Sequence, residues 1–164
     1  MLKSSFPPVV DEKTRVLVLG SLPGEVSLSR AEYYAHPRNQ FWRLMQAVTG
    51  AALVDAAYPV RLQALLAAGV GLWDVIGSAE RAGSLDGAIR NHSPNALGAL
   101  VAALPSLHAV AFNGAKASQI GRRQLGAAGG LTLITLPSSS PAHAARSFEQ
   151  KLAQWRRLEP FLAV

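Results

Sequence analysis

The chain alternates short, almost purely apolar runs with longer segments in which apolar residues recur at helical spacing. Apolar runs of this kind are typical of strands that are buried on both faces. They predict strands at about 15–20, 70–76, 107–113 and 131–136. The helical spacing predicts helices at about 41–48, 59–68, 94–103, 115–125 and 144–158. Strands that alternate with helices predict an α/β fold, in which helices cover both faces of a parallel sheet.

Two segments show neither pattern. Residues 1–14 are expected to form an extended lead-in, because Pro7 and Pro8 disfavour a helix. Residues 77–91 have the serine, glycine and charge content of a surface loop, with one short helical turn at most. The chain has no internal repeat and no linker-like stretch, so we expect residues 1–164 to form a single domain.

The composition is that of a compact globular protein with a basic surface. Of the 164 residues, 49% are hydrophobic and 16% are charged. The formal net charge is +6 and the pI is about 10.3, which favours a polyanionic partner. Many basic proteins bind no nucleic acid, so charge alone leaves the partner open.

Several kinds of site are excluded or disfavoured by residue content. The chain contains no cysteine, which excludes disulfides, thiolate nucleophiles and cysteine-ligated zinc or iron–sulfur clusters. Its four histidines show no HExxH or similar ligand spacing, so we expect neither a metal nor a cofactor. The N-terminus lacks the apolar region of a signal peptide, and no stretch has the length and apolarity of a membrane span. We therefore expect a cytoplasmic protein with no membrane partner.

Polar and aromatic residues concentrate just beyond the first predicted strand. The strand ends in the tight turn Gly20-Ser21-Leu22-Pro23-Gly24, and the stretch Tyr33-Tyr34-Ala35-His36-Pro37-Arg38-Asn39-Gln40-Phe41-Trp42 follows. In open α/β sheets, ligands bind at the carboxyl ends of the strands. This stretch therefore predicts a functional site.

Two parts of the chain resemble motifs of a known family. GSLPG followed by YYAHPRNQFW resembles the first active-site motif of the uracil-DNA glycosylase superfamily, and LPSSSPAH at 136–143 resembles its second motif. More narrowly, the chain resembles the hypoxanthine (deoxyinosine) DNA glycosylases, which are related to the mismatch-specific uracil/thymine enzymes. The resemblance covers about residues 16–155. It implies a three-layer α/β/α sandwich around a four-stranded parallel sheet.

The resemblance also implies an activity. A member of this family would hydrolyse the N-glycosidic bond of a deaminated base, hypoxanthine or uracil, flipped out of DNA. It would need no cofactor, and we expect a monomer whose partner is DNA containing such a base. Neither motif contains a lysine, so a Schiff-base lyase step is not indicated.

Within the first motif, Asn39 is the candidate for positioning the attacking water, since an amide offers an acceptor and donors without titrating. Asn39 could equally cap the helix that begins at Gln40. In the mismatch-specific branch, the asparagine that holds the water lies inside the turn, at the position of Leu22 in this chain. The resemblance therefore assigns the water to Asn39 instead. Tyr34 matches the position on which relatives stack the flipped base, with Tyr33 as its rival and a core tyrosine as the alternative.

The turn itself is expected to contact the base and the DNA. Backbone N–H groups of the turn and the Ser21 hydroxyl could bind a carbonyl oxygen of the base, so Gly20 and Ser21 are candidate base-binding residues. Pro23 and Gly24 are candidate DNA contacts. Arg38 could bind phosphate, although arginine at a surface is often only solvated.

Two further polar residues end predicted strands. Asn113 could read the edge of the base or cap the helix that follows. Asp74 could make a polar contact near the site, although a structural hydrogen bond is favoured for it.

The second motif provides the remaining candidates. Ser138, Ser139, Ser140 and Pro141 form a short loop of the kind that relatives use to grip phosphates and to wedge open the base stack. His143 could donate to a phosphate or to the departing base, or be a surface residue that opens the last helix.

Two other functions compete with a glycosylase. A nucleotide- or phosphate-binding α/β module without chemistry is one, although the turn is neither GxGxxG nor a P-loop. A serine hydrolase using Ser139 and His143 is the other, although no GxSxG sequence is present.

Overall fold

The computed structural model describes residues 2–126 and 129–163. The strands are β1 Leu2–Ser4, β2 Val16–Gly20, β3 Val70–Asp74, β4 Ile76–Glu80, β5 Arg90–Pro94, β6 Ala109–Asn113 and β7 Thr132–Leu136. The α-helices are α1 Glu25–Arg30, α2 Phe41–Thr49, α3 Tyr58–Ala67, α4 Leu97–Ala103, α5 Ala115–Leu125 and α6 Phe148–Trp155. Short 3₁₀ helices span Asp86–Ala88 and Arg156–Phe161. Within the described ranges, no helix combines the length and apolarity needed to cross a bilayer.

The central sheet is parallel and four-stranded, as the sequence predicts. Its order is β3-β2-β6-β7, and β2 pairs with β3 and β6 along nearly its whole length. All five residues of β2 are buried, which explains why its sequence is almost continuously apolar. Because the four strands are parallel, their carboxyl ends meet at one edge of the sheet.

Two hydrophobic cores cover the two faces of this sheet and produce the predicted three layers. Val16 and Val18 belong to the core that contains side chains of α2, α3 and α6. Leu17 and Leu19 belong to the opposite core, with side chains of α4 and α5. Successive residues of β2 therefore face opposite helix layers, as strand geometry requires.

Most predicted helices are confirmed, with two shifted starts. Helix α2 ends at Gly50, which takes a left-handed backbone (φ 75°), as predicted. Helix α4 begins at Leu97 rather than near residue 94, because Pro94 pairs with Ile76 in the sheet. Helix α6 begins at Phe148 rather than near 144, because Ser147 caps it in a capping box with Gln150.

The prediction of a surface loop at 77–91 is largely wrong. β4 and β5 occupy its two ends and form an antiparallel sheet of order β1-β4-β5, and the predicted short helical turn lies between them. The lead-in is extended as predicted, but its start pairs with β4. This sheet could not be predicted from the sequence, because every residue of β5 is exposed and the strand has no apolar pattern. The short helix α1, within the 20–40 segment, was also not predicted.

Candidate active site

A cavity of about 850 Å³ opens at the carboxyl edge of the central sheet, where the sequence places the site. The candidate residues of the sequence analysis that line it are Gly20, Ser21, Pro23, Gly24, Tyr33, Tyr34, Asn39, Asp74, Asn113, Ser138, Ser139, Ser140, Pro141 and His143. The remaining candidate, Arg38, is exposed and does not line the cavity. The two motifs, about a hundred residues apart in the sequence, therefore meet at one cavity.

Asn39 lies in the turn before α2 and is half-buried. Its Oδ1 accepts the N–H of Phe41 at 3.0 Å, and its own N–H donates to the carbonyl of His36 at 2.9 Å. The side chain therefore satisfies the first N–H of α2, the capping role that the alternative interpretation gave it, although Asn39 stands one residue before the N-cap Gln40. Among the described residues its Nδ2 has no hydrogen-bond acceptor, so the same amide still presents a donor at the cavity.

Tyr34 is held against the helix that follows Asn39. Its ring stacks on Phe41 with centroids 4.0 Å apart and 17° between the planes, and its φ of 54° is unusual for a tyrosine. The rival Tyr33 also touches the cavity, but it is 3% exposed and its hydroxyl donates to the carbonyl of Pro7 at 3.0 Å. Tyr33 thus serves the core, and Tyr34 is the ring available to a ligand.

Asp74 ends β3 at the floor of the cavity, directly beside Gly20. A Cβ at Gly20 would lie only 2.7 Å from Asp74 Oδ1 and 3.0 Å from the Tyr34 hydroxyl. Glycine is therefore required for these polar groups to approach the strand. Asp74 is 3% exposed, and its Oδ2 has no hydrogen-bond partner. Among the described residues, neither carboxyl oxygen of Asp74 makes a hydrogen bond, so the structural hydrogen bond favoured for its side chain is not formed.

The pKa of Asp74 is raised to about 7. Burial is the main cause, the charge of Asp86 adds to it, and the charge of Arg81 opposes it. Burial and the nearby Asp74 charge also raise the pKa of Tyr34, with an opposing effect of Asn113. A buried carboxyl and a buried phenol thus both remain neutral more readily than in water.

Ser21 is bound to a residue that the sequence analysis missed. Its hydroxyl donates to Asp86 Oδ1 at 2.5 Å. Asp86 begins the short 3₁₀ helix between β4 and β5. Asp86 lies in the segment with loop-like composition, where nothing distinguished it from a solvated acid. The interaction brings that segment to the cavity wall together with Leu85 and Gly87.

Asn113 ends β6 and binds the second motif. Its Nδ2 donates to Ser139 Oγ at 2.9 Å, and the Ser139 N–H donates back to Asn113 Oδ1 at 2.9 Å. The side chain does not cap α5, which begins after Gly114 without a side-chain cap. Because one Nδ2 hydrogen of Asn113 is bonded to Ser139, only the second could bind the edge of a base. Ser139 is 1% exposed with its hydroxyl engaged, which disfavours the serine-hydrolase alternative.

Comparison with known proteins agrees with this arrangement. The family model described as "Uracil DNA glycosylase superfamily" matches residues 7–160. The chain belongs to this superfamily. A hypoxanthine DNA glycosylase of Methanosarcina barkeri is 41% identical over 155 residues, which are 94% of this chain and 96% of the relative. A protein of the same name from Methanosarcina acetivorans is 38% identical, with the same coverage.

A solved structure supports the superfamily fold. It is a solution NMR structure from Methanosarcina acetivorans, provisionally described as a uracil DNA glycosylase. The two chains share 38% identity and superpose with a TM-score of 0.84. The match covers 97% of this chain and 99% of the other. The α/β/α sandwich expected from the resemblance is therefore confirmed.

A buried arginine, Arg81, binds the turn of the superfamily's first motif. Arg81 is 3% exposed and donates to the main-chain carbonyls of Leu22, Pro23 and Gly83. Its guanidinium thus ties the Gly20–Gly24 turn to the segment that carries Asp86. Sequence reasoning missed Arg81, because it follows β4 in the stretch that resembles a solvated loop.

The second motif is held by another buried cation. Lys151 on α6 is 2% exposed, and its Nζ donates to Gln40 Oε1 at 2.9 Å and to the Ser140 carbonyl at 3.4 Å. Burial lowers its pKa. A signal was present in the sequence, since Lys151 falls on the same helical face as Phe148 and Trp155. A lysine on an apolar face indicates a buried partner.

His143 and Arg38 lie at the margins of the site. The His143 Nε2 is buried without a partner, and its main-chain N–H donates to the Ser140 carbonyl at 3.0 Å. The Arg38 N–H donates to His36 Nδ1 at 3.1 Å, and its side chain faces solvent. In the described ranges no three His, Cys, Asp or Glu residues are grouped as a metal site requires.

Proposed function

We propose that this protein is a monofunctional DNA glycosylase of base-excision repair, which hydrolyses the N-glycosidic bond of a deaminated base held outside the DNA stack. The main support is the meeting of both superfamily motifs at one cavity of about 850 Å³. Pockets of this size accept small organic ligands, and a single purine base is well within it. The relatives named hypoxanthine DNA glycosylase favour hypoxanthine as a substrate base, with uracil as the second candidate.

The chemistry requires little nucleophilic activation. Cleavage of a glycosidic bond passes through an oxocarbenium-like transition state, so the site must place a water and stabilise charge on the departing base. Asn39 is suited to the first task, because its bond to the Phe41 N–H fixes the plane of the amide at the cavity wall. We assign Asn39 to positioning the water.

The cavity also has groups suited to holding the base. The ring of Tyr34, backed by Phe41, offers a stacking surface that tolerates different bases. His143 presents an unpartnered buried Nε2, which can donate to the departing base or to an adjacent phosphate. We assign Gly20 and Ser21 to contacts with the base, and Pro23, Gly24 and the Ser138–Pro141 loop to contacts with the DNA backbone, because all of them line the cavity. Arg38, which is exposed outside the cavity, is assigned to a phosphate.

The decisive experiment uses labelled duplexes that contain deoxyinosine, deoxyuridine or a G:T mismatch, treated with the protein and a metal chelator. Strand breaks that form only after alkali establish a monofunctional glycosylase and rank the bases. Undamaged duplex serves as the control. If the folded protein cleaves none of them, and a small nucleotide raises its melting temperature, the nucleotide-binding alternative replaces the proposal.

Leu85 is expected to assist extrusion of the base from a duplex. It is 60% exposed at the cavity wall, whereas the Ser138–Pro141 loop carries only small side chains. Large apolar side chains can enter a base stack and offset the cost of unstacking. Leu85→Ala should therefore slow excision from a duplex by about 10-fold.

The comparison with single-stranded substrate separates this role from a general loss of activity. Leu85→Ala should excise the base from a single strand within about 2-fold of the wild-type rate, because no stack has to be opened. Val60 on α3 is 55% exposed and does not line the cavity, so it provides the matched control. Equal slowing on both substrates would remove Leu85 from this role.

A further inference from the structure

The carboxyl group of Asp74 is a polar group of the cavity floor that the mechanism leaves unused. It belongs to the residue that ends β3, is 3% exposed and lines the cavity. Its Oδ2 has no hydrogen-bond partner among the described residues. Buried polar atoms are almost always paired, so an unpaired carboxylate oxygen on a residue that lines a cavity points to a ligand that completes it.

The charges around Asp74 favour its neutral form. Burial disfavours a negative charge on Asp74, and the charge of Asp86 has the same effect. Arg81 is the nearby cation, but its donors are directed at main-chain carbonyls rather than at Asp74. The neighbouring Tyr33 and Tyr34 carry no charge at neutral pH. The other titratable groups that line the cavity are Glu25, His36, Lys116 and His143.

We propose that protonated Asp74 holds the flipped base by its lactam edge, the adjacent C=O and ring N–H that deamination creates. A carboxylic acid has one O–H donor and one carbonyl acceptor, so it can donate to the base C=O and accept from the base N–H. An ionised carboxylate offers acceptors only and would repel the base carbonyl. The inference rests on the proposed function and extends it to the group that recognises the base.

The amide variant Asp74→Asn tests the proton directly. An amide keeps a donor and an acceptor in the same shape but does not titrate. Wild-type excision of deoxyinosine under single-turnover conditions should fall by up to about 10-fold per pH unit above pH 7, following loss of the carboxyl proton. Asp74→Asn should stay within about 5-fold of the wild-type rate at pH 6 and lose this decline, whereas Asp74→Ala should be slow throughout.

Binding of free hypoxanthine gives a second readout that does not depend on catalysis. Affinity for the free base, measured by titration calorimetry at pH 6 and pH 8, should fall with pH for the wild type and stay level for Asp74→Asn. If the protein excises no base at all, this measurement still tests Asp74. Any pH dependence that arises from His36 or His143 would persist in Asp74→Asn and so be recognised.

Asp86→Asn provides a directional test. Removing the Asp86 charge should move the decline of the wild-type profile to lower pH, because that charge raises the pKa of Asp74. Asparagine retains an oxygen that can accept from Ser21. The inference is overturned if Asp74→Asn is as slow as Asp74→Ala, or if wild-type activity rises with pH through 7. Either result would assign Asp74 to stabilising positive charge or to activating water.

Discussion

Asn39→Ala is expected to lower the single-turnover rate of base excision by about 100-fold or more, because the water would lose the group that orients it. The substitution also removes the acceptor for the Phe41 N–H, so the free energy of unfolding should fall by about 1 kcal/mol. The fold should survive this loss. Single-turnover assays with deoxyinosine duplex and thermal unfolding measure the two effects separately.

Two variants distinguish catalysis from helix capping. Asn39→Asp keeps an oxygen that can cap α2 but loses the amide N–H₂, so stability should return while excision remains slow. Ser147→Ala removes the cap of α6, outside the cavity, and should lose similar stability without slowing excision. A rate for Asn39→Ala that matches that of Ser147→Ala would show that Asn39 only caps its helix.

Arg81→Ala is expected to lower the free energy of unfolding by about 3 kcal/mol, since a buried cation bonded to several carbonyls is lost and the carbonyls are left unpaired. The Gly20–Gly24 turn would no longer be fixed relative to Asp86. Excision should slow by at least about 10-fold even where the variant is fully folded. Urea unfolding and single-turnover rates at a temperature well below the melting point measure these effects.

Arg61→Ala is the matched control for Arg81. Arg61 also binds two main-chain carbonyls, those of Val54 and Ala56, but it lies outside the cavity. Its removal should destabilise the protein while leaving the excision rate of the folded molecules near the wild-type value. If the two variants slow excision equally, Arg81 contributes only to general stability.

The central sheet could be predicted because its strands bury both faces. β2 is apolar throughout and β6 almost so, and such runs leave few alternatives to an interior strand. The stops of α2 and α3 were equally visible, since Gly50 and Gly69 adopt the left-handed backbone that glycine permits. The order of the strands was not predictable, because no local pattern records which neighbour a strand pairs with.

The second sheet and the buried polar partners required the structure. β5 has no buried residue, so its pairing with β4 depends on backbone bonds that leave no pattern in the side chains. In the sequence, Arg81 resembles an ordinary charged residue, whereas Asp74 ends a predicted strand and Lys151 lies on an apolar helix face. The groups that surround these buried side chains become evident only when segments distant in the chain are brought together.

The position of the candidate site could be predicted from the sequence, but the role of each side chain in it could not. The first motif pointed to Asn39 and the end of a predicted strand pointed to Asn113, yet each side chain is also bound within the protein. Whether a polar side chain is free or engaged depends on tertiary contacts to within an ångström. Spacing in the sequence does not carry that information.

The buried positions of Lys3, Arg81 and Lys151 change what the net charge of +6 means for DNA. Their side chains are 8%, 3% and 2% exposed, and each is bound to groups of the protein itself. Affinity for DNA declines with added salt in proportion to the number of phosphates that are neutralised, since each releases condensed counterions. Three of the sixteen lysines and arginines are therefore not available to neutralise phosphates. Ionic strength should accordingly weaken DNA binding less steeply than the basic composition suggests.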